Sequence, residues 1–429
     1  MTSRPPDRCR RRRWSALLAA LALTAGCTSI LDRPSLPPAG TANLRTGTAA
    51  STATSVSITP VTPDGLVTGP GVTDTGITLA VLADPDRDRG FTEGARLWQQ
   101  SVNTTGGLCG RAVSLVVNGA DGVAADPAAA YDAVGTSVLG LLTLPATDGS
   151  APLSASIAAD QVPAVTPTGT SAQLGPSGPV VAGATADILV INGLNHLAQA
   201  GALAAGATLG VLSDGSGSAQ NGLLGAQWWA QNNDVTLDVR GDRTDPSAWG
   251  GDRVVLALAD TATVESLVAG SPSGLAVLSL LDGFDPATWS GSDVQAAAAR
   301  LYVATPAPAY GSDYPAAVAV SSMAAATGAA DTGPRTLDGY AAGSTWGRLI
   351  GQACGNRTLT REGIRQAMTA VGPAPATSLF GPSDPGVVVQ SGLPATRVSS
   401  ISVVDPAAPN RLRSLVGLES APGIEDYAP

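Results

Sequence analysis

Apolar residues recur along this chain in two periods that take turns. Ile77-Thr78-Leu79-Ala80-Val81-Leu82 is a short run that reads as a strand. Phe91, Ala95, Trp98 and Val102 then fall at i, i+4, i+7 and i+11, the single stripe of an amphipathic helix that Gly106-Gly107 stops. Ala112 to Val117 predicts the next strand, and Asp126-Pro127 supplies the N-cap and first position of the next helix. Val138 to Leu144 reads as strand, Leu153 to Ala159 as helix and Pro163 to Val165 as strand. After Asp187 the rhythm restarts, with a helix around His196, strand Thr208 to Leu212, helix Asn221 to Gln231 and strand Val235 to Val239. Strand Val254 to Leu258, helix Thr263 to Val268 and strand Leu275 to Leu281 follow; Ser399 to Val404 is strand-like near the end. The expectation is an α/β protein of two wound lobes, each a mainly parallel sheet with helices on both faces. Ligands of such sheets sit outside the carboxyl ends of the strands.

The first 71 residues do not share this rhythm. A basic cluster, Arg8 and Arg10 to Arg13, precedes an apolar run from Trp14 to Ala25 that is shorter than a membrane span of ~20 residues. Residues 1–26 therefore read as a secretory signal peptide. Leu23-Thr24-Ala25-Gly26-Cys27 resembles the lipobox of bacterial lipoproteins, with Thr24 where the leucine usually stands, which makes Cys27 the expected lipidation site. An ordinary secreted protein with an incidental Cys27 is the alternative. Residues 27–71, rich in Ser, Thr, Pro, Ala and Gly, cannot offset the entropy of ordering and are expected to be a disordered tether. Such a tether reaches ~30 to 40 Å from a bilayer.

Charge and residue types narrow the chemistry. The 429 residues carry 24 basic and 34 acidic side chains, a net charge of -10, which argues against nucleic acid as a partner. Loss of the signal peptide would take six arginines and Asp7, leaving about -15. The chain has no lysine, so Schiff-base chemistry and a Walker A phosphate loop are excluded. With Cys9 in the signal and Cys27 lipidated, Cys109 and Cys354 remain. In an oxidising compartment they are most economically a disulfide, with two separate buried thiols as the alternative. Two cysteines and one histidine cannot make a tetrahedral metal site without carboxylates, so no metal is expected, and no cofactor either.

Ile77 to Leu174 resembles the first lobe of the type I periplasmic binding proteins, in the branch of the leucine/isoleucine/valine and amide receptors of ABC transporters. The resemblance rests on a series: the first strand; Phe91-Thr92-Glu93-Gly94-Ala95 opening the helix; Asn103 to Arg111 in place of the Asn-x-x-Gly-Gly-x-x-Gly-Arg turn; Asp126-Pro127; and Val162 to Ser171, similar to "vPlispsaTs". Weaker similarity extends to about Glu419. It implies three crossovers, with residues 72–187 and 306–380 in lobe 1 and 188–305 and 381–425 in lobe 2. Both Cys109 and Cys354 would then lie in lobe 1, which favours their pairing.

In the amino-acid-binding relatives, hydroxyls and backbone N–H groups hold the ligand carboxylate. The matching positions are Thr147, Thr170 and the backbone of Thr168; Thr147, Ser150 and Thr170 could equally cap the helices that follow. The acidic partner of a ligand ammonium falls on Asp282, otherwise a turn aspartate before Gly283. Phe284 and Tyr310 are pocket-wall or core residues. The loop Ala83 to Gly90 is shorter and more charged than in the amino-acid receptors, and Gly217-Ser218-Ala219-Gln220 replaces an aromatic-glycine pair, so the fold carries over more firmly than the ligand. Asp84, Asp86 and Asp88 mimic the start of a calcium loop, but Ala95 stands where its bidentate glutamate belongs. His196, the sole histidine, lies in a helical stretch without a Gly-x-Ser-x-Gly elbow nearby. The expectation is a monomeric, membrane-tethered, extracytoplasmic solute-binding lipoprotein, not an enzyme. It would bind a small amino-acid or amide-like ligand and deliver it to an ABC permease. The rival is a cell-envelope lipoprotein using the same fold as a regulatory protein-interaction module.

Overall fold

The computed structural model describes residues 64–84, 86–117, 127–144, 150–241, 245–249 and 253–428. The expected signal peptide, Cys27, most of the tether and Thr147 lie outside them. Residues 64–71, expected to belong to the tether, are part of the folded body. Leu66 is buried in the first core, and β1 (Val67–Thr68) pairs in parallel with Thr358–Leu359. An apolar Leu-Val pair inside a polar stretch is the signal for this.

The first lobe alternates as its apolar pattern predicts: β2 (Gly76–Leu82), α1 (Arg89–Thr104), β3 (Ala112–Val117), α2 (Pro127–Val134), β4 (Gly140–Thr143), α3 (Ser150–Ala159), β5 (Ala164–Thr166) and β6 (Val180–Val181). Its sheet runs β3-β2-β4-β5-β6, all parallel. The second lobe opens with α4 (Ala186–Gln199), β7 (Thr208–Ser213), α5 (Gly217–Asn232), β8 (Thr236–Gly241) and β9 (Val254–Leu258). It continues through α6 (Thr261–Gly270), β10 (Ala276–Leu280), α7 (Gly291–Ala297) and β11 (Leu301–Thr305). The chain then returns with α8 (Pro315–Thr327), α9 (Thr336–Gly355), β12 (Thr358–Leu359), α10 (Arg361–Ala370) and α11 (Pro385–Ser391). Finally β13 (Ser399–Val404) and β14 (Leu412–Glu419) complete a second sheet of order β14-β13-β11-β10-β9-β7-β8. Only β13 and β14 run antiparallel to their neighbours in it.

The last crossover comes later than the expected residue 381. Asp384 caps α11 by accepting from Gly386 N at 2.9 Å, Pro385 opens it, and the helix packs on β6 and α10 in the first lobe. The return to the second sheet therefore follows Ser391. Within the first lobe α1 lies directly on α9. A Cβ at Gly94 would stand 1.9 Å from Thr336 O, so this approach requires glycine there. Cys109, in the turn after α1, is bonded to Cys354 in the last turn of α9, with Cα atoms 6.4 Å apart. The crossover segments converge at Gly183, where a Cβ would meet Pro167 O at 2.3 Å and Pro306 Cβ at 2.8 Å. Among the described residues no helix is long and apolar enough to cross a membrane.

A candidate ligand cleft between two lobes

The carboxyl ends of the strands in both sheets face a cleft. From the first lobe, the segment after β5 brings Thr168, Gly169 and Thr170; from the second, Leu281 and Asp282 form a single 3-10 turn after β10, and Ser218 opens α5. These residues and Arg335 enclose a cavity of only about 20 Å³. The structure thus brings together Thr168, Thr170 and Asp282 from the sequence-derived set. The hydroxyls of both threonines and the Thr170 N–H are already engaged. The Thr168 hydroxyl donates to Ala184 O at 2.7 Å, and both the backbone N–H (2.8 Å) and hydroxyl (3.5 Å) of Thr170 point at Gln173 Oε1. Thr170 therefore caps the 3-10 turn Ser171–Gln173, the alternative reading of its sequence position.

Asp282 lines both this small cavity and the larger chamber beyond it, but one of its carboxylate oxygens is already taken. Its carboxylate is hydrogen-bonded by Arg335, a buried guanidinium at the N-cap of α9 in the first lobe. Arg335 Nε also reaches Asp88 Oδ1 at 3.3 Å, and Arg87 Nη2 reaches Asp88 Oδ2 at 2.9 Å. An ion cluster thereby ties one lobe to the other. Burial works against the Arg335 charge, but Asp282, Asp88 and Asp338 outweigh it and hold the guanidinium above its ordinary range. Asp338, one helical turn further on, is 1% exposed, and its Oδ2 has no hydrogen-bond donor among the described residues. Burial pushes its carboxyl up to about 7, although Arg335, 4.0 Å away, pulls the other way. The three acids of the loop after β2 have separate duties. Asp84 accepts from Asp86 N and Arg87 N, Asp88 joins the ion cluster, and Asp86 is exposed, an arrangement of turn and ion pair rather than a calcium loop.

On the other side of the Arg335–Asp282 bar lies a larger chamber of about 380 Å³. Arg89, Gly90 and Gly333 line it from the first lobe, and Phe284, Asn410 and Arg411 from the second. Phe284 is buried and meets Trp289 edge-on at 5.2 Å, so it serves both core and wall. Tyr310 lines neither cavity; it packs half-buried against the first lobe's core, the second of its two expected roles.

Comparison with solved structures identifies this architecture. A fatty acid ABC transporter substrate-binding protein from Thermomonospora curvata superposes with a TM-score of 0.76 at 22% identity, over 86% of this chain and 98% of that one. The chain has the type I periplasmic-binding-protein fold. A branched chain amino acid ABC transporter protein from Thermus thermophilus with bound valine is similar over 82% of this chain and 98% of its own, at TM-score 0.62 and 14% identity. A solute binding protein of an ABC transporter from Rhodopseudomonas palustris HaA2, in complex with p-hydroxybenzoic acid, gives 0.61 at 16%, over 81% and 97%. No protein-family model matches the sequence, and no curated protein matches it.

In this periplasmic-binding-protein fold the hinge carries a second buried carboxylate. Asp187, at the start of α4, accepts from Ile188 N (2.9 Å), Asn221 Nδ2 (3.2 Å) and Tyr427 OH (2.8 Å), and from the Ser171 and Thr185 hydroxyls. Ser171 belongs to the first lobe and Tyr427 to the C-terminal segment, so the network spans the crossover. Burial and the neighbouring Asp187 raise the Tyr427 hydroxyl well above its usual value, and it stays a donor. His196 lies half-buried in the last turn of α4, its ring 6.2 Å from that of Tyr302, and burial lowers its pKa. Residue-by-residue reading of the sequence misses Arg335, Asn221 and Tyr427. Each is distant in sequence from its partner and carries no local motif.

Proposed function

We propose that this protein is an extracytoplasmic solute-binding lipoprotein, lipid-anchored at Cys27, that closes on a small organic acid and presents it to an ABC permease. The observation that carries the reading is the 380 Å³ chamber walled by both lobes, of a size that ligand pockets have. A solute there would touch both lobes only in the closed state, and that difference is what shifts the population. The neighbouring structures are of transporter-associated binding proteins. The ligands in their descriptions, fatty acid, valine and p-hydroxybenzoic acid, share a carboxylate. An ammonium group is the part of the expected amino-acid ligand that fits least, because Arg335 holds Asp282. The chemistry is binding, not turnover.

One observation favours a second reading, a ligand-independent interaction module of the cell envelope. The Thr168 hydroxyl, the Thr170 N–H and hydroxyl and one Asp282 oxygen are engaged internally, around a space of only about 20 Å³. Thermal melts of the full chain with added organic acids, amino acids, amides and sugars separate the two. Saturation at ~100 times Kd adds ~2.7 kcal/mol to the folded state, a rise of several degrees. A folded protein that ignores every compound, in a background where lobe distances are unchanged, supports the interaction module.

A further inference from the structure

The turn between β13 and β14 is closed by its own backbone hydrogen bonds, Arg411 N–H donating to Ala408 O at 3.0 Å and Asp405 N–H to Arg411 O at 2.9 Å. Asn410 and Arg411 are consecutive non-glycine residues with φ of 50° and 59°, the left-handed region that each side chain enters at a cost of ~1 to 3 kcal/mol. Both line the 380 Å³ chamber. The Asn410 Nδ2 atom is buried with no hydrogen-bond acceptor among the described residues. The Arg411 guanidinium likewise makes no hydrogen bond or ion pair among them. The nearest acid of the turn, Asp405, is spent on Ala407 N at 3.0 Å and on Arg413 Nε at 2.9 Å. Two donors on residues that line the chamber are left without an acceptor among the described residues, the Asn410 amide shielded from solvent and the Arg411 guanidinium half-buried, and a buried unsatisfied donor is costly unless a ligand completes it.

The other charged groups of the chamber do not meet this need. Arg87 and Arg335 are held by Asp88 and Asp282. Asp285 Oδ1 accepts from Ala287 N at 2.9 Å, and Asp86 and Asp331 are exposed at the rim, where solvent screens them. Arg89, also exposed, gives its Nε to Asp86 O at 3.1 Å. We infer that Asn410 and Arg411 form the carboxylate-binding element of the chamber. A small organic acid places its two oxygens on the Asn410 amide and the Arg411 guanidinium, and its apolar body against Phe284. This rests on the solute-binding reading and names which residues choose the solute. Charge-assisted pairing of a guanidinium with a carboxylate is the strongest neutral-pH contact the chamber can offer.

The test uses the full chain, titrated calorimetrically with sodium 4-hydroxybenzoate and sodium octanoate, each beside its primary amide. The variants Asn410→Gly and Arg411→Gly keep the left-handed backbone and delete the side chain, so they relieve strain rather than unfold the turn. Arg413→Ala, on the same hairpin but outside the chamber lining, controls for the change in net charge. The expected result is that at least one acid binds and its amide binds at least tenfold more weakly. Each glycine variant then weakens the acid by roughly ten- to a hundredfold, while Arg413→Ala leaves it unchanged. Acid binding that ignores both glycine variants, or that the amide matches, overturns the assignment and leaves the receptor reading standing. Silence of all four compounds with the unaltered chain overturns both.

Discussion

Among the described residues, two of the three buried aspartates, Asp88 and Asp187, are stabilised in opposite ways. Asp88 is held by charge: two arginines reach it, and one of them, Arg335, also grips Asp282 across the cleft. Asp187 is held by five neutral donors, and no arginine pairs with it among the described residues. It also sits in the first turn of α4, where the helix dipole favours a negative charge. Under the proposed solute-binding reading, the difference matches what each place would do. A hinge that keeps one geometry through opening and closing suits short-range, directional hydrogen bonds. A cleft that must part suits an ion pair, whose charges can be rehydrated when the lobes separate.

The largest expected effect comes from the hinge. Asp187→Ala strands the hydroxyls of Ser171, Thr185 and Tyr427 and the Asn221 amide in a dry site, at a cost of about 4 kcal/mol in urea unfolding. A loss below about 1 kcal/mol would mean that water replaces the carboxylate and that the network is not dry. Arg335→Met comes next. It removes the guanidinium that Asp88 and Asp282 share across the cleft, costs about 3 kcal/mol, and should widen the distance distribution between spin labels at Ala325 and Thr288. An unchanged distribution would show that the ion cluster does not hold the lobes together.

A smaller change isolates Asp338. Its carboxyl is held at about 7 in the folded protein by burial, above the ordinary carboxylate range of the unfolded chain. Between pH ~4 and 7 the folded state binds more protons than the unfolded one, so stability falls as pH rises through that window. Asp338→Asn should leave the melting midpoint unchanged near pH 4 and raise it by a few degrees near pH 8, flattening the profile. Equal gaps at both pH values would assign the slope to another group. Smallest is Tyr427→Phe, which removes one of five donors to Asp187 and should cost about 1 kcal/mol, without altering the pH profile between 5 and 8. A pH-dependent loss there would place a titrating group in the hinge.

The fold was legible because its signals are local. Val254–Leu258 and Ser399–Val404 are strands with the bounds their apolar runs predict, and α1 carries the stripe of Phe91, Ala95 and Trp98 on its buried face. Boundaries moved where capping decides. α5 begins at Gly217 rather than Asn221 because Ser216 accepts from Ala219 N at 3.2 Å. The site was legible only in part. Asp282 could be found from the strand before it, but the arginine that claims it lies 53 residues on, at the start of a helix in the other lobe. No periodicity links the two. Asn410 and Arg411 were out of reach for another reason: Asn tolerates a left-handed backbone, but nothing in Pro409-Asn410-Arg411 announces one at Arg411 or says that the turn faces a cavity.

The late return of the chain also sets an order of assembly. Trp346, Leu349, Ile350 and Ile364, all buried in the first lobe's core, come from helices that follow β11, and Cys109 must wait for Cys354, 245 positions later. In a chain that emerges from its N-terminus, all five parallel strands of the second sheet are available before the first lobe can close its core or form its disulfide. The early half of the first lobe must therefore remain an open, chaperone-accessible sheet for most of the chain's passage.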